Sequence, residues 1–326
     1  MKTKAIRIHE YGGPEQMRWE EIELLPPAAG EVQVRHRAVG LNYIDVYHRS
    51  GIYPTPPLPC TLGMEAAGTV EAVGPEVTDF RVGDRVAYAT PPLGAYAEAR
   101  NIAAARLVAL PEGIDFEQAA AMMLQGMTAE YLLRRTYPVQ AGQTVLFHAA
   151  AGGVGLIFCQ WAKQLGATVI GTVGNEAKAD MARAHGCEHT ILYREEDLVA
   201  RVREITGDRG VPVVYDGVGK ATWTRSLDCL APRGMMVSFG NASGKVPPVE
   251  LGELTSRGSL YLTRPTLMTY TAETQELRDS ASALFERVLA GDIRIEVNQR
   301  FALAKAAKAH RALEARETTG STILIV

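Results

Sequence analysis

The stretch Thr144-Val145-Leu146-Phe147-His148-Ala149-Ala150-Ala151-Gly152-Gly153-Val154-Gly155 decides the reading of this chain. Thr144 to His148 is a short apolar run with strand character, and an apolar helical stretch follows to Leu165. The junction is a run of small residues with the spacing GxGxxG, in which Ala150 takes the first glycine position and Gly152 and Gly155 the others. Each position has a physical task. Gly152 lets backbone approach a pyrophosphate, Gly155 lets the helix pack closely on the strand, and the helix N-terminus presents unpaired N–H groups with partial positive charge. Such a pattern is weak alone and much stronger between a strand and a helix.

That context continues downstream. Ala167 to Val173 reads as a strand, Glu176 to His185 as a helix, and Thr190–Tyr193, Val213–Asp216 and Met235–Phe239 as further strands. Alternating strands and helices with continuously apolar strands predict a parallel sheet covered on both faces. An NAD site places Asp or Glu about 20 residues after the fingerprint, where it binds the ribose hydroxyls. Here the second strand ends Val173-Gly174-Asn175. The missing carboxylate leaves room for a 2′-phosphate, and Lys178, in the first turn of the next helix, is placed to pair with it as a point charge. These features predict NADPH as the cofactor, with Glu176 pointing away; the alternative for Lys178 is a solvated helix lysine.

Upstream the texture differs. Residues 1–124 carry short apolar runs (Val32–Gly40, Ala66–Gly74, Asp84–Ala89, Tyr96–Arg100) punctuated by Gly and by Pro26-Pro27, Pro56-Pro57 and Pro91-Pro92. This predicts a compact, barrel-like β domain over 1–124 and an α/β nucleotide domain over 125–265. A segment 266–326, with helices at Ala272–Ala290 and Ala304–Ala315 and a strand at Ser321–Val326, is expected to return to the first domain. A length of 326 residues suits two domains, and 47% hydrophobic with 22% charged residues is globular composition. The net charge of −3 argues against electrostatic nucleic-acid binding. No run of 18 apolar residues predicts a membrane span. Cys60, Cys159, Cys187 and Cys229 are too dispersed for a zinc lobe and read as reduced core thiols of a cytoplasmic protein.

Further residues carry a resemblance. Gly142-Gln143, Leu146, Ala150-Ala151-Gly152-Gly153, Gly155, Gln160 and Lys163 stand at every spacing of a known signature. Gly63-Met64-Glu65-Ala66-Ala67-Gly68, Val82-Gly83-Asp84-Arg85-Val86 and Gly94-Ala95-Tyr96-Ala97-Glu98 extend the match. So do Tyr193-Arg194-Glu195-Glu196-Asp197-Leu198, Val237-Ser238-Phe239-Gly240-Asn241 and Leu262-Thr263-Arg264-Pro265. From end to end the chain resembles the medium-chain dehydrogenase/reductase superfamily, in its quinone oxidoreductase and zeta-crystallin branch. The resemblance implies a GroES-like catalytic domain, a Rossmann doubly wound domain, a cleft between them and a homodimer.

Zinc alcohol dehydrogenases share that architecture, so the metal is decided residue by residue. Asn42 stands where their first cysteine ligand would be, Met64 replaces the histidine of their Gly-His-Glu motif, and no cysteine lies between Cys60 and Cys159. An amide and a thioether do not make a tetrahedral zinc site, so no metal is expected. The acceptor must then bring its own electrophilicity, as quinones and other conjugated carbonyls do, and the protein supplies orientation and hydrogen bonds.

By resemblance, Asn42, Asp45, Tyr47 and Tyr53 form the substrate side. Asn42 would bond the nicotinamide end or the substrate oxygen. Tyr53 would stack on a flat ring or donate a proton, unless it only packs beside prolines. Gln125 and Thr128 are read as opening a helix at the domain boundary, with Thr128 near the nicotinamide ribose or acting as a helix cap. Ala151, Gly152, Gly153, Val154 and Gly155 would hold the pyrophosphate, and Gly174, Asn175, Lys178 and Tyr193 the adenosine phosphate end. Phe239, Gly240 and Asn241 would close a strand end, and Arg264 and Arg316 would contact cofactor or form surface ion pairs. The implied reaction is NADPH-dependent quinone reduction. A C=C reductase for enoyl thioesters or alkenals, and a non-catalytic NADPH-binding protein with weak RNA affinity, are the other readings.

Overall fold

The computed structural model describes residues 1–326, which divide into two compact units. The first comprises Met1–Met127, Tyr270–Gly291 and Ile295–Val326; the second comprises Thr128–Thr269 and Asp292–Arg294.

In the first unit a three-stranded sheet has the order Arg18–Glu23, Lys2–Ile8, Cys60–Thr61. A larger sheet is built around the long strand Glu31–Leu41. One edge of that strand pairs antiparallel with Glu65–Val73, which continues to Arg85–Ala89 and Val108–Ala109. Its other edge is shared: Ala99–Ala103 takes the half from Glu31 to Arg35, and Ser321–Ile325 takes Ala38 to Leu41. Ile6, Ile8, Val32, Val34, Leu62, Val86, Tyr88, Ile102, Leu107 and Leu324 pack in its core. Each fully buried aliphatic of this kind contributes about 1.5–3 kcal/mol.

The run Tyr96–Arg100 is not one strand. Tyr96 bridges the backbone of Ile6 and Leu62, Ala97 makes an isolated bridge to Ala5, and only from Ala99 does the chain join Glu31–Leu41. The segment crosses from one sheet to the other, so an apolar run was spread over two partners.

The second unit is a six-stranded, all-parallel sheet in the order His189–Leu192, Thr168–Val173, Thr144–His148, Val211–Asp216, Leu230–Ser238, Tyr261–Thr263. The first three strands build outward from Thr144–His148 in one direction, and the last three build in the other. The switch point therefore lies between Thr144–His148 and Val211–Asp216, where open α/β sheets bind ligands. Phe147, Phe158 and Tyr215 stack beneath it, with ring centroids 4.4 Å and 4.8 Å apart for Phe158 with Phe147 and with Tyr215.

The sequence reading placed Gln125 and Thr128 at a helix opening. They instead sit in the last three turns of a helix that begins at Phe116 and ends at Tyr131. Its start is set by a reciprocal cap: Gln118 N–H donates to Asp115 Oδ1 at 2.7 Å, and Asp115 N–H to Gln118 Oε1 at 3.3 Å. Thr128 is therefore an interior helix residue, not a cap.

Gly68 stands where Glu31–Leu41 bulges between His36 and Ala38. A Cβ there would lie 2.1 Å from the Arg35 carbonyl oxygen. Gly68→Ala is expected to cost about 1–3 kcal/mol by overpacking, read as a lower thermal midpoint; an unchanged midpoint would mean that the strands have room to separate.

Candidate active site

In the second unit the fingerprint forms the junction its spacing predicts. The helix Gly153–Gln164 starts from Gly152 in extended backbone, and Gly152 N–H donates to the Ala149 carbonyl at 2.9 Å. Ala149 has φ 59, a left-handed turn that lets the chain reverse above the strand. A Cβ on Gly155 would meet the Ala150 and Ala149 carbonyl oxygens at 2.5 and 2.7 Å, so only glycine lets the helix come this close. The helix end and its free N–H groups thus sit directly over the end of Thr144–His148.

A buried polar chain fixes that loop. Ser226 Oγ and Thr222 Oγ1 donate to Asp216 Oδ2 at 2.8 and 2.7 Å. Because the Ser226 proton goes to Asp216, His148 donates from Nε2 to Ser226 Oγ (2.9 Å) and accepts at Nδ1 from Thr172 Oγ1 (3.0 Å). Thr172 Oγ1 in turn receives the Ala149 N–H at 3.3 Å. Burial pushes His148 below the usual histidine range, which keeps the neutral ring this chain needs. His148 is structural, while Thr172, Asp216, Thr222 and Ser226 are supports that sequence reasoning missed. The one signal for them was a carboxylate, Asp216, at the carboxyl end of an apolar strand.

Gly174, Asn175, Lys178 and Tyr193 come together after the second strand. Asn175 caps the helix Glu176–Ala184 by accepting the Lys178 N–H at 3.0 Å. A Cβ on Gly174 would stand 3.3 Å from the Tyr193 hydroxyl. Glu176 pairs with Arg183 at 3.2 Å, and the same guanidinium meets Asp180 at 2.7 Å.

Phe239, Gly240 and Asn241 follow directly on the strand Leu230–Ser238. The Asp216 carbonyl accepts the Phe239 N–H at 2.9 Å, and a Cβ on Gly240 would lie 2.3 Å from the Gly217 carbonyl oxygen. Arg264 Nη1 donates to the Ser238 and Gly240 carbonyls at 2.8 and 2.9 Å. Asn241 accepts from Arg264 Nη2 and donates to the Gly240 carbonyl, each at 3.0 Å. Arg264 shapes this loop from within.

In the first unit Asn42 precedes the helix Tyr43–Arg49 and is 5% exposed. Its Nδ2 donates to Glu65 Oε2 at 2.5 Å, and its Oδ1 accepts from Gln125 Nε2 at 3.2 Å. Ser321 Oγ donates to Gln125 Oε1 at 2.6 Å. The Asn42 amide is thereby oriented on both sides, leaving one N–H. Burial pushes Glu65 up to about 8, against the pull of the Leu124 N–H and the Asn42 amide. Asp45 has no exposed surface, accepts from the Asn42 N–H at 2.9 Å and from Tyr96 OH at 3.0 Å, and its Oδ1 has no hydrogen-bond partner. Burial pushes it up to about 7. Tyr47 stacks at tilted angles between Tyr43 and Tyr53, with centroids 5.5 and 5.0 Å away. Tyr43 was not expected in this group. Burial and the Glu314 charge push the Tyr43 phenol up, and Arg316, on an exposed turn with φ 61, opposes them in part.

Residues 28–139 match the family described as alcohol dehydrogenase GroES-like domain, and residues 153–286 match the one described as zinc-binding dehydrogenase. The chain is 59% identical over 323 residues to a quinone oxidoreductase of Pseudomonas aeruginosa, covering 99% of each. It is 48% identical to a 2-haloacrylate reductase of a Burkholderia species, covering 98% of each. The crystal structure of Escherichia coli quinone oxidoreductase complexed with NADPH superposes with a TM-score of 0.98 at 52% identity, covering 99% of this chain and 100% of that one. The chain belongs to the quinone oxidoreductase family of medium-chain dehydrogenases/reductases.

As a member of that family with a zinc-binding dehydrogenase match, it raises the question of a metal. The donor set does not fit one: the Asn42 amide is engaged by Glu65 and Gln125, and Met64 is a buried thioether. A dinucleotide does fit the second unit, because Gly155 lets the helix N-terminus close onto the Ala149 and Ala150 carbonyls, while Gly152 and Gly174 keep the adjoining backbone free of side chains. Gly155→Val is expected to weaken dinucleotide binding about tenfold or more, an overpacking cost of about 1–3 kcal/mol, in a fluorescence titration; unaltered affinity would mean the helix approach is not what forms the site.

Proposed function

We propose that this protein reduces quinones with hydride from NADPH, and that the residues gathered above do the binding and orienting. The observation that carries the cofactor choice is the adenosine end. Gly174-Asn175 stand where an NAD site has a carboxylate, Lys178 lies in the first turn beyond, and Glu176 has Arg183 as a partner. The NADPH complex of the Escherichia coli relative supports the same choice.

When bound, NADPH supplies the hydride. The chain supplies the rest. The N–H groups at Gly152–Gly155 and the dipole of the helix Gly153–Gln164 bind pyrophosphate. Phe239–Asn241, clamped by Arg264, shape the strand ends beside the switch point. On the substrate side, Tyr47 and Tyr53, packed at an angle to each other, give an aromatic surface for a ring, and Asn42 offers its remaining N–H to an oxygen that gains charge. Asp45 supports Asn42 from below. No residue here acts as a nucleophile, and none is required, because a quinone is electrophilic without activation.

The protein is further proposed to work as a homodimer in the cytoplasm with no nucleic-acid partner. The outer strand Tyr261–Thr263 leaves one backbone edge unpaired, and Tyr261 is 61% and Leu262 39% exposed on it. An apolar sheet edge of this kind favours pairing with a second copy. Four free cysteines fit a reducing compartment, and no helix is long and apolar enough to cross a membrane. The net charge of −3 supplies no basic excess for phosphates.

With 1,4-benzoquinone as acceptor, NADPH is expected to be oxidised faster than NADH. Lys178→Ala is expected to remove about tenfold of that preference, the worth of one charge-assisted hydrogen bond. A wild-type preference for NADH would overturn the phosphate pocket, and faster turnover with enals or haloacrylate than with any quinone would overturn the substrate class. Sedimentation should give a dimer that Tyr261→Asp disrupts; a wild-type monomer would contradict the edge pairing.

A further inference from the structure

The first unit holds a buried polar chain of its own, separate from the Asn42–Glu65–Gln125 contacts. Arg49, only 2% exposed, forms a two-bonded pair with Glu314: Nη1 to Oε2 at 3.0 Å and Nη2 to Oε1 at 2.8 Å. Its Nε holds the Gly12 carbonyl at 3.0 Å, and its Nη1 also meets His310 Nδ1 at 2.9 Å. His310 Nε2 lies 3.0 Å from Tyr96 OH, and Tyr96 OH lies 3.0 Å from Asp45 Oδ2. His310, Tyr96 and Asp45 all have no exposed surface.

The directions of these bonds follow from chemistry alone. A guanidinium only donates, so His310 Nδ1 is an acceptor and the ring proton is on Nε2. Burial and the Arg49 charge push His310 down to about 3, so the ring stays neutral. His310 therefore donates to the Tyr96 oxygen, and the Tyr96 proton has one place to go, the Asp45 carboxylate. Every bond points the same way, from the buried Arg49 cation to the Asp45 carboxylate in the first turn of the helix Tyr43–Arg49. Bonds aligned in series polarise one another.

We propose that Arg49 and His310 are positioning residues for quinone reduction: through Tyr96 they hold Asp45 as an ionised acceptor beneath Asn42, and so set the helix Tyr43–Arg49 that carries Tyr47. The inference rests on the reading of Asn42 and Tyr47 as the substrate side. Asp45 needs this help because burial raises it to about 7, while the Asn42 N–H and the Tyr96 hydroxyl pull it back down. Glu65, whose charge is coupled to that of Asp45, Tyr96, and the Arg49–His310 pair are the ionisable groups that face it.

The test is the pH profile of kcat/KM for 1,4-benzoquinone in the intact protein. Wild type should gain activity as pH rises through about 7, as Asp45 loses its proton. Tyr96→Phe removes a bond to the carboxylate and should move that limb to higher pH. His310→Ala should lower kcat/KM about tenfold at neutral pH and move the limb the same way, with NADPH affinity unchanged. His310→Gln restores both roles, since its oxygen accepts from Arg49 and its N–H donates to Tyr96, and it should recover most of the loss. The inference is overturned if His310→Ala keeps the wild-type profile, or if His310→Gln is as impaired as His310→Ala. Asn42→Ala and Tyr47→Phe separate the two layers. If they lower turnover while His310→Ala does not, the positioning chain alone is wrong; if they leave turnover unchanged, the substrate-side reading falls and takes the chain with it.

Discussion

The approach of one helix to two carbonyl groups governs the second unit. A side chain at Gly155 would overlap the carbonyls of Ala149 and Ala150, so the helix Gly153–Gln164 can seat its N-terminus over the sheet only because that position is glycine. Once seated, its unpaired N–H groups form an anion site at the switch point of the sheet. The left-handed turn at Ala149 and the polar chain through Thr172, His148, Ser226 and Asp216 keep it there. In the proposed mode, pyrophosphate binding rests on backbone geometry, with His148, Thr172, Asp216 and Ser226 acting as braces.

The first unit works by the opposite means. Its candidate substrate residues hang from buried carboxyls. Asn42 is aimed by Glu65 and Gln125, and Asp45 is tied to Tyr96. Where related zinc enzymes gather metal ligands, this chain uses hydrogen bonds, and the donor types at positions 42 and 64 suit that and not an ion. A site of this kind orients and solvates developing charge but does not force electrons out of an unactivated ketone. Chemistry therefore depends on an acceptor that is already electron-poor, which is the property quinones share with other conjugated carbonyls.

The sheet of the second unit was legible because its signals are local: apolar strands, a glycine junction, and the absence of a carboxylate after Val173. The strand Thr144–His148 falls on the residues read from sequence. The first unit was harder. Tyr96 to Ala103 changes sheets midway, so its apolar run could not be assigned to one strand. The start of the helix Phe116–Tyr131 was missed although Asp115 and Gln118 form a capping pair, and Gln125 and Thr128 were placed at its opening as a result. Tyr43, Arg49 and His310 carried no motif, and Tyr96 stood in a matched stretch that assigned it no role. His310 lies 214 residues from Tyr96, and only the fold brings them into contact. Buried polar chains of this kind are invisible to periodicity, because each member looks like an ordinary loop or helix residue until its partner is placed.

The most direct test is a single turnover. The protein is saturated with NADPH in the presence of a strong chelator and mixed rapidly with one equivalent of 1,4-benzoquinone, following the nicotinamide absorbance and the hydroquinone formed. The account requires one hydroquinone per NADPH consumed, at a rate that sustains steady-state turnover and is indifferent to chelation. Persistence of reduced nicotinamide, or a burst that appears only when a divalent ion is restored, would contradict it.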